Sequence, residues 1–344
     1  MKTIVIDGQH LTNENMDGMH RFMLEILSRI DRMLESEDIC IKLVHMKGSQ
    51  LNDCHFKNIE TVELAGNRFS FRRRYIPAYV KSVNGIYCSM SNNAAPCRDA
   101  INTLMDLIPL SPLARYPFKS LLSMKLTYRM IRRYAGRVVT ISNESKNDII
   151  SKLGIDKNKI TIVATGWEHI GNIQADETIF DKLSGVIKGQ YYYAMGSQYP
   201  YKNFQWIREA AHSNPEVTFV VAGRKTNIDN GTYDQESNVI YTGYISDEVH
   251  KALLMHAKAF IHPSKLEGFG IPPMEALSVG TPIIIANASC LPEIYGRTAH
   301  YIDPDDANVN LEELLSEEVS SPEEILKKYT WDNAASQWMD IFKE

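Results

Sequence analysis

Short runs of β-branched and apolar residues recur along the chain, with helix-length stretches between them. The first half carries TIVID, IKLVHM, GIYCSM, INTLM, RVVTIS and ITIVA; the second carries YYYAMG, VTFVVAG, NVIYTG, KAFIHPS, TPIIIAN and AHYID. These runs lack polar residues at alternate positions, so they predict strands of parallel sheets covered on both faces. Two such series predict two doubly wound α/β domains. The periodicity weakens between ATGWEH (164–169) and KGQYYYAMG (188–196), where a hinge is expected. No solenoid repeat or low-complexity tract stands out.

The length of 344 residues suits two domains, and 44% hydrophobic with 23% charged residues describes an ordinary soluble globular chain. MKTIVIDG runs straight into a strand that reaches Asp7, with no stretch suited to a signal peptide or a bilayer, so a cytoplasmic location is expected. The five cysteines are scattered and show no metal-ligand spacing, so they read as packing residues. Charge adds something that composition hides. Residues 1–170 hold 24 Lys+Arg against 17 Asp+Glu, which leaves 13 against 25 of the totals 37 and 42 for the remainder. The two halves face different electrostatic tasks.

Ligands of open α/β sheets bind beyond the carboxyl ends of the strands, so the residues after each run carry the chemistry. IHPS ends a strand, LEGFG needs glycine freedom, and PPMEALSVG opens a helix with proline. This aims the amides of Gly268, Phe269, Gly270 and Ile271, and the positive end of a helix, at one point that suits an anion. Glu267 stands at the entrance of the loop and Glu275 is expected in the first helical turn.

HPSKLEGFGIPPMEALSVGTPIIIANASCLPEIYG resembles the donor-binding signature of the family-four retaining nucleotide-sugar glycosyltransferases of the group 1 type, with Glu267 and Glu275 as its E-x7-E pair. The resemblance implies the GT-B fold, two facing Rossmann-like domains. It also implies an N-terminal acceptor-side domain over 1–170, a donor-binding domain over 171–327, and a last helix (328–344) packed back on the first. By resemblance, Glu275 accepts from the ribose hydroxyls of the nucleotide and Glu267 meets the hydroxyls of the donor sugar. The amides of Gly268 to Ile271 then serve the sugar and diphosphate, so acids sit on hydroxyls and amides on phosphates.

AMGSQYPYKNFQWIREA resembles the first strand–loop–helix of the donor domain, with Gly196 at the turn and Lys202 as the cation on the diphosphate. An arginine common nearby in the family is absent, Ser197 and Tyr201 standing in its place. Arg224, after FVVAG, is a second possible cation, although such an arginine is usually solvated. Tyr244 and Ile245 fall in the segment that flanks the base. In the first half, Gly18 resembles the glycine of the family's first loop, a flexible turn before an amphipathic helix and the pair Arg21-Phe22. INTLMDLIPL resembles the strand-end H-D-L segment, but Met105 stands where histidine is common and cannot shuttle a proton. Asp106 is left to position or deprotonate the acceptor, against a capping role. Ser142 and Asn143 would line the cleft, and Thr165-Gly166 depart from the usual Asn-Gly.

Residues 107–143 contain seven bases and no acid, interleaved with Leu, Met, Phe and Tyr, and RFSFRRRYIPAYVK adds to them. This suits an anionic membrane surface; no nucleic-acid module accompanies it, and a plainly solvated face is the alternative. The resemblance implies transfer of a sugar, with retention, from a nucleoside-diphosphate sugar to a glycan hydroxyl. The expected acceptor is a lipid-linked intermediate of a bacterial surface polysaccharide, such as O-antigen, at the inner face of the cytoplasmic membrane. No metal or other cofactor is expected, since lysine and amides meet the phosphate charge and no Asp-x-Asp motif is present. A nucleotide-sugar epimerase of the same fold and a catalytically degenerate sugar-nucleotide binder stay open. Donor base, sugar and linkage are not readable.

Overall fold

A computed structural model describes residues 2–13, 16–67, 69–197, 199–223 and 236–344. The chain divides into two compact units. The first comprises Met1–Leu107, Tyr116–Thr165 and Trp331–Glu344; the second comprises Ile108–Arg115 and Gly166–Thr330.

The first unit is built on seven strands: β1 (Lys2–Asp7), β2 (Ile39–Met46), β3 (Glu60–Leu64), β4 (Ile86–Ser89), β5 (Ala100–Thr103), β6 (Ala135–Thr140) and β7 (Ile160–Ile162). They pair in parallel in the order β3-β2-β1-β4-β5-β6-β7. The apolar pattern marks six of them. It misses β3 because ETVEL pairs only with β2 at the sheet edge, where its residues stay exposed or half-buried and need not be apolar. The helices are α1 (Gly18–Met33), α2 (Ile76–Ser82), α3 (Phe118–Tyr134) and α4 (Asn143–Leu153). Phe71, Ile76 and Val80 bury α2 and the turn before it against Val5, Val44 and Tyr87.

The second unit pairs six parallel strands in the order β10-β9-β8-β11-β12-β13. These are β8 (Tyr191–Met195), β9 (Thr218–Ala222), β10 (Val239–Gly243), β11 (Ala259–His262), β12 (Ile283–Ala286) and β13 (His300–Ile302), the six that the apolar runs predict. Its helices are α5 (Glu168–Gly171), α6 (Phe204–Ser213), α7 (Asp247–Met255), α8 (Ile271–Ser278), α9 (Leu291–Tyr295), α10 (Leu311–Ser316) and α11 (Glu323–Lys328). Trp206, Ile207 and Ala210 of α6 pack on Tyr192, Phe219 and Val221 of the sheet. The last helix, α12 (Trp331–Lys343), belongs to the first unit, where Trp331 meets Phe22 of α1 edge to face at 6.2 Å between centroids.

Both sheets reverse their strand order once, between β1 and β4 and between β8 and β11. At such a point the loops leave the sheet in opposite directions and open a crevice at the carboxyl ends. No helix among the described residues is long and apolar enough to cross a membrane.

Candidate active site

The crevice of the second sheet brings together segments far apart in sequence. After β8 the chain turns at Gly196, whose φ is +154°, and forms a short turn over Pro200–Lys202. Asn203 then adopts a left-handed conformation and donates from Nδ2 to the carbonyls of Pro263 (3.1 Å) and Pro304 (2.8 Å). That tie fixes where α6 begins and directs Lys202 towards the loop after β11. The Lys202 Nζ donates to Glu267 Oε1 at 2.7 Å, and His262 Nε2, at the end of β11, lies 2.7 Å from the same oxygen.

The main chain of Glu267 is fixed as well. Ser289, itself left-handed at φ +53°, accepts from the Glu267 N–H at 3.2 Å and donates to its carbonyl at 2.9 Å. Burial opposes ionisation of Glu267, but the Lys202 ammonium and His262 outweigh it and hold the carboxyl well below the usual range. The carboxylate is an acceptor at neutral pH and not a proton donor.

Gly270 ends the loop at φ +88°, a conformation that favours glycine, and a Cβ there would lie 2.9 Å from Leu291 Cδ2, which would have to move. Its carbonyl accepts from the Tyr295 hydroxyl. Phe269 is buried with its ring against Tyr329. Because the helix already starts at Ile271, Glu275 is its fifth residue and stands in the second turn, not the first turn that the sequence suggests. Glu275 therefore does not compensate the helix dipole, whose effect fades within the first turn. It is instead buried between two histidines: His169 Nε2 lies 2.6 Å from Oε1 and His250 Nε2 lies 3.0 Å from Oε2. Burial again opposes ionisation, and the bonds to His169 and then His250 reverse it, so this carboxyl too is held well below the usual range.

Sequence reasoning singled out none of the three histidines. His262 ends a strand beside a candidate acid, which is a usable signal; His169 and His250 reach Glu275 from α5 and α7 and offer none. Tyr244 is 59% exposed and Ile245 half-buried in the loop after β10, the carboxyl end where a base could be met. Arg224 lies outside the described residues.

In the first unit Gly18 is not a turn before the helix but the first residue of α1. Asp17 is the cap, its Oδ1 accepting from the amides of Met19 (3.0 Å) and His20 (2.8 Å), so the turn lies one residue earlier. A Cβ at Gly18 would meet nothing within 4 Å. The Met105 N–H donates to Asn92 Oδ1 at 3.0 Å, and its carbonyl accepts from Thr140 Oγ1 at 3.2 Å. Asp106 is half-buried beside it. The Ser142 hydroxyl caps α4 by accepting from the Ser145 amide at 3.1 Å, so its role is already structural. The switch point of this sheet holds a pair that the sequence did not announce: buried Asp7, at the end of β1, accepts from Arg72 Nε at 2.5 Å.

The second unit matches a family model described as glycosyl transferases group 1 over residues 176–330. The chain is 24% identical to "O-antigen chain mannosyltransferase B" of Escherichia coli, over 95% of this chain and 96% of that one. Among solved structures, a sucrose-phosphate synthase from Thermosynechococcus elongatus superposes with a TM-score of 0.72 at 14% identity, covering 100% of this chain and 98% of the other. Anabaena HepE, crystallised with UDP and glucose, superposes with a TM-score of 0.69 at 16% identity over 100% of both. At such identities the likeness to solved structures shows the fold, which is GT-B. The second unit thus carries the group 1 glycosyl transferase module, one relative is similar to the chain from end to end, and the fold is GT-B.

Proposed function

We propose that this glycosyltransferase takes its sugar from a nucleoside-diphosphate sugar and passes it, with retention, to a hydroxyl of a lipid-linked surface-polysaccharide intermediate. The observation that carries the donor half is the meeting of Lys202 with buried Glu267 at the switch point of the second sheet. A lysine already held there exchanges one anionic partner for another when a diphosphate enters. Glu267, released to accept elsewhere, then takes a sugar hydroxyl while His262 keeps it in place. Glu275 takes the ribose, and the amides of Gly268 to Ile271 take what phosphate charge Lys202 leaves. Gly196 lets the backbone approach from the β8 side, while Tyr244 and Ile245 flank the base. HepE was crystallised with UDP, which supports a nucleoside diphosphate as the donor's leaving part.

In the transfer, the bond from the anomeric carbon to the β-phosphate oxygen breaks and a bond to the acceptor oxygen forms. The acceptor proton passes to the departing phosphate on the same face, with Lys202 stabilising the charge that develops there. Asp106 positions the acceptor in the first unit, where Met105 can take no part in proton transfer. No metal is required, so chelation with EDTA leaves the rate unchanged; a rate lost to EDTA and restored by magnesium would contradict this.

The relative named an O-antigen mannosyltransferase makes a mannosyl donor the first to try. The assay is release of nucleoside diphosphate from donor, with and without lipid-linked glycan. Acceptor-dependent release supports transfer; conversion of donor alone to a second sugar nucleotide would mark an epimerase.

A basic, apolar surface of the first unit supports presentation of that acceptor at a membrane. Phe118 is 79% exposed, and Leu122 and Leu126 continue its line at i+4 and i+8 along α3, beside exposed Lys119, Lys125, Arg129 and Arg133. Phe69, 72% exposed, precedes α2 with the Arg73 guanidinium 4.8 Å from its ring centroid. Right-handed crossovers put α2 and α3 on the same face of the sheet, and both aromatics lie towards the carboxyl edge. Each base near an anionic surface contributes about 1 kcal/mol. Flotation with phosphatidylglycerol vesicles at low salt is expected to carry the protein, and F118E/L122E to leave it behind; failure of the unaltered chain to float would remove the membrane from this reading.

A further inference from the structure

Glu275 is held by more than the site described so far requires. Its two carboxylate oxygens each face an imidazole, and the far side of the His250 ring is held in turn. His250 Nδ1 lies 2.8 Å from the Tyr193 hydroxyl, and Tyr193 is fully buried in β8. The directions of these bonds follow from the chemistry. An ionised carboxylate can only accept, so both Nε2 atoms carry their hydrogens and donate. Burial raises the Tyr193 hydroxyl far above its ordinary titration range, so it keeps its proton and can donate to Nδ1. His250 is thereby held from both ring nitrogens, and the chain runs from Tyr193 through His250 to Glu275.

Counting acceptor sites gives the consequence. A carboxylate offers about four lone-pair directions, two on each oxygen. His169 takes one on Oε1 and His250 takes one on Oε2. Clamped on both sides, the carboxylate cannot swing, and one acceptor direction per oxygen is left. A pair of acceptors fixed at the two corners of a carboxylate fits two neighbouring hydroxyls. A single hydroxyl would leave the second direction dry in a buried place, at a cost in binding.

We infer that His169 and His250, backed by Tyr193, are positioning residues that make Glu275 select nucleoside diphosphates carrying both ribose hydroxyls over their 2′-deoxy counterparts. The inference rests on the assignment of Glu275 to the ribose under Proposed function. It narrows the donor to ribonucleotide sugars and sets dTDP-sugars aside. The histidines touch no reacting atom; they act through Glu275.

The test is calorimetric titration with UDP, GDP and their 2′-deoxy forms, in the unaltered protein and in H250F, H250Q and Y193F. For whichever base binds, the unaltered protein is expected to prefer the ribo form at least tenfold, the worth of a hydrogen bond to a charged group. H250F is expected to bring the preference towards unity by weakening the ribo form alone. H250Q, which can still donate to Glu275, is expected to restore most of it, and Y193F to lie between. Y193F leaves the donors to Glu275 in place, so it gives a reading even where H250F fails to fold. If H250F and Y193F weaken both forms alike and keep the preference, the histidines only support the fold and the inference is overturned. If the unaltered protein binds both forms equally, the ribose assignment of Glu275 itself fails and the clamp falls with it.

Discussion

Lys202 and Glu267 form a pair on which stability and the proposed donor binding can be tested together. Glu267 is almost wholly buried, and Lys202 Nζ and His262 Nε2 share its Oε1. K202M leaves a buried carboxylate with one partner fewer, so a stability loss of roughly 3 kcal/mol is expected in urea titration. In assays at temperatures where the variant stays folded, kcat should fall by about 100-fold or more, because the leaving-group charge is then met by amides alone. A variant destabilised to that extent but with kcat unchanged would separate Lys202 from the chemistry.

Acid supplies a second test at this scale. Glu267 and Glu275 are held below the ordinary glutamate value in the folded state. Their contribution to stability is therefore fully present above about pH 4.3 and is lost as pH falls towards the folded value. Urea midpoints should drop steeply between about pH 5 and pH 3, and less steeply in E275Q, which has one such group fewer. A variant with the same slope as the unaltered chain would show that Glu275 is not held in this way. The acids themselves were legible, since the E-x7-E spacing names both. Their surroundings were not: His169 and His250 lie 106 and 25 residues from Glu275, and only the packing of α5 and α7 against α8 brings them to it.

Among the elements, the ends of β8 and β9 are the tightest place in the second sheet. A Cβ on Gly223 would sit 1.9 Å from the Gly196 carbonyl oxygen, and Gly223 is at φ +130°. G223A should cost about 3 kcal/mol or more and shift the turn that leads to Lys202, visible as a lower urea midpoint together with weaker nucleotide binding. Elements of this sheet were readable because each is a short apolar run in a parallel sheet. Edge strand β3 escaped notice because its ETVEL sequence puts glutamates on an exposed edge. The start of α8 was misplaced by the same local logic: two prolines mark a helix start, but the left-handed Gly270 sets which residue is first. Likewise Asp17, not the glycine after it, defines the start of α1. In the first unit α12 carries buried Trp331, Trp338 and Phe342, and W331A is expected to cost about 3–5 kcal/mol in the unfolding of that unit.

Across the whole molecule, the split of charge finds a structural counterpart. The acidic half contains most of the second unit, and in the function proposed for it one lysine, glycine-loop amides and hydroxyl-accepting acids would meet the ligand without an excess of bases. The basic half puts exposed charge on α3 and on the segment before α2, beside exposed Phe118 and Phe69, while Arg72 of that segment turns in to Asp7 at the switch point. Fold class and the group 1 module of the second unit could be read from the sequence because a parallel sheet needs apolar runs and the E-x7-E loop has a fixed spacing. The acceptor could not, since nothing in the sequence around Met105 and Asp106 names a molecule that they would meet. The central claim, that the second unit binds a nucleoside-diphosphate sugar through Lys202, Glu267 and Glu275, is tested most directly by thermal denaturation with a panel of UDP-, GDP- and dTDP-sugars. A UDP- or GDP-sugar should raise the midpoint by several degrees at saturating concentration, and E275A should abolish the shift. A chain whose midpoint none of them moves, or an E275A variant that responds as fully as the unaltered protein, would contradict it.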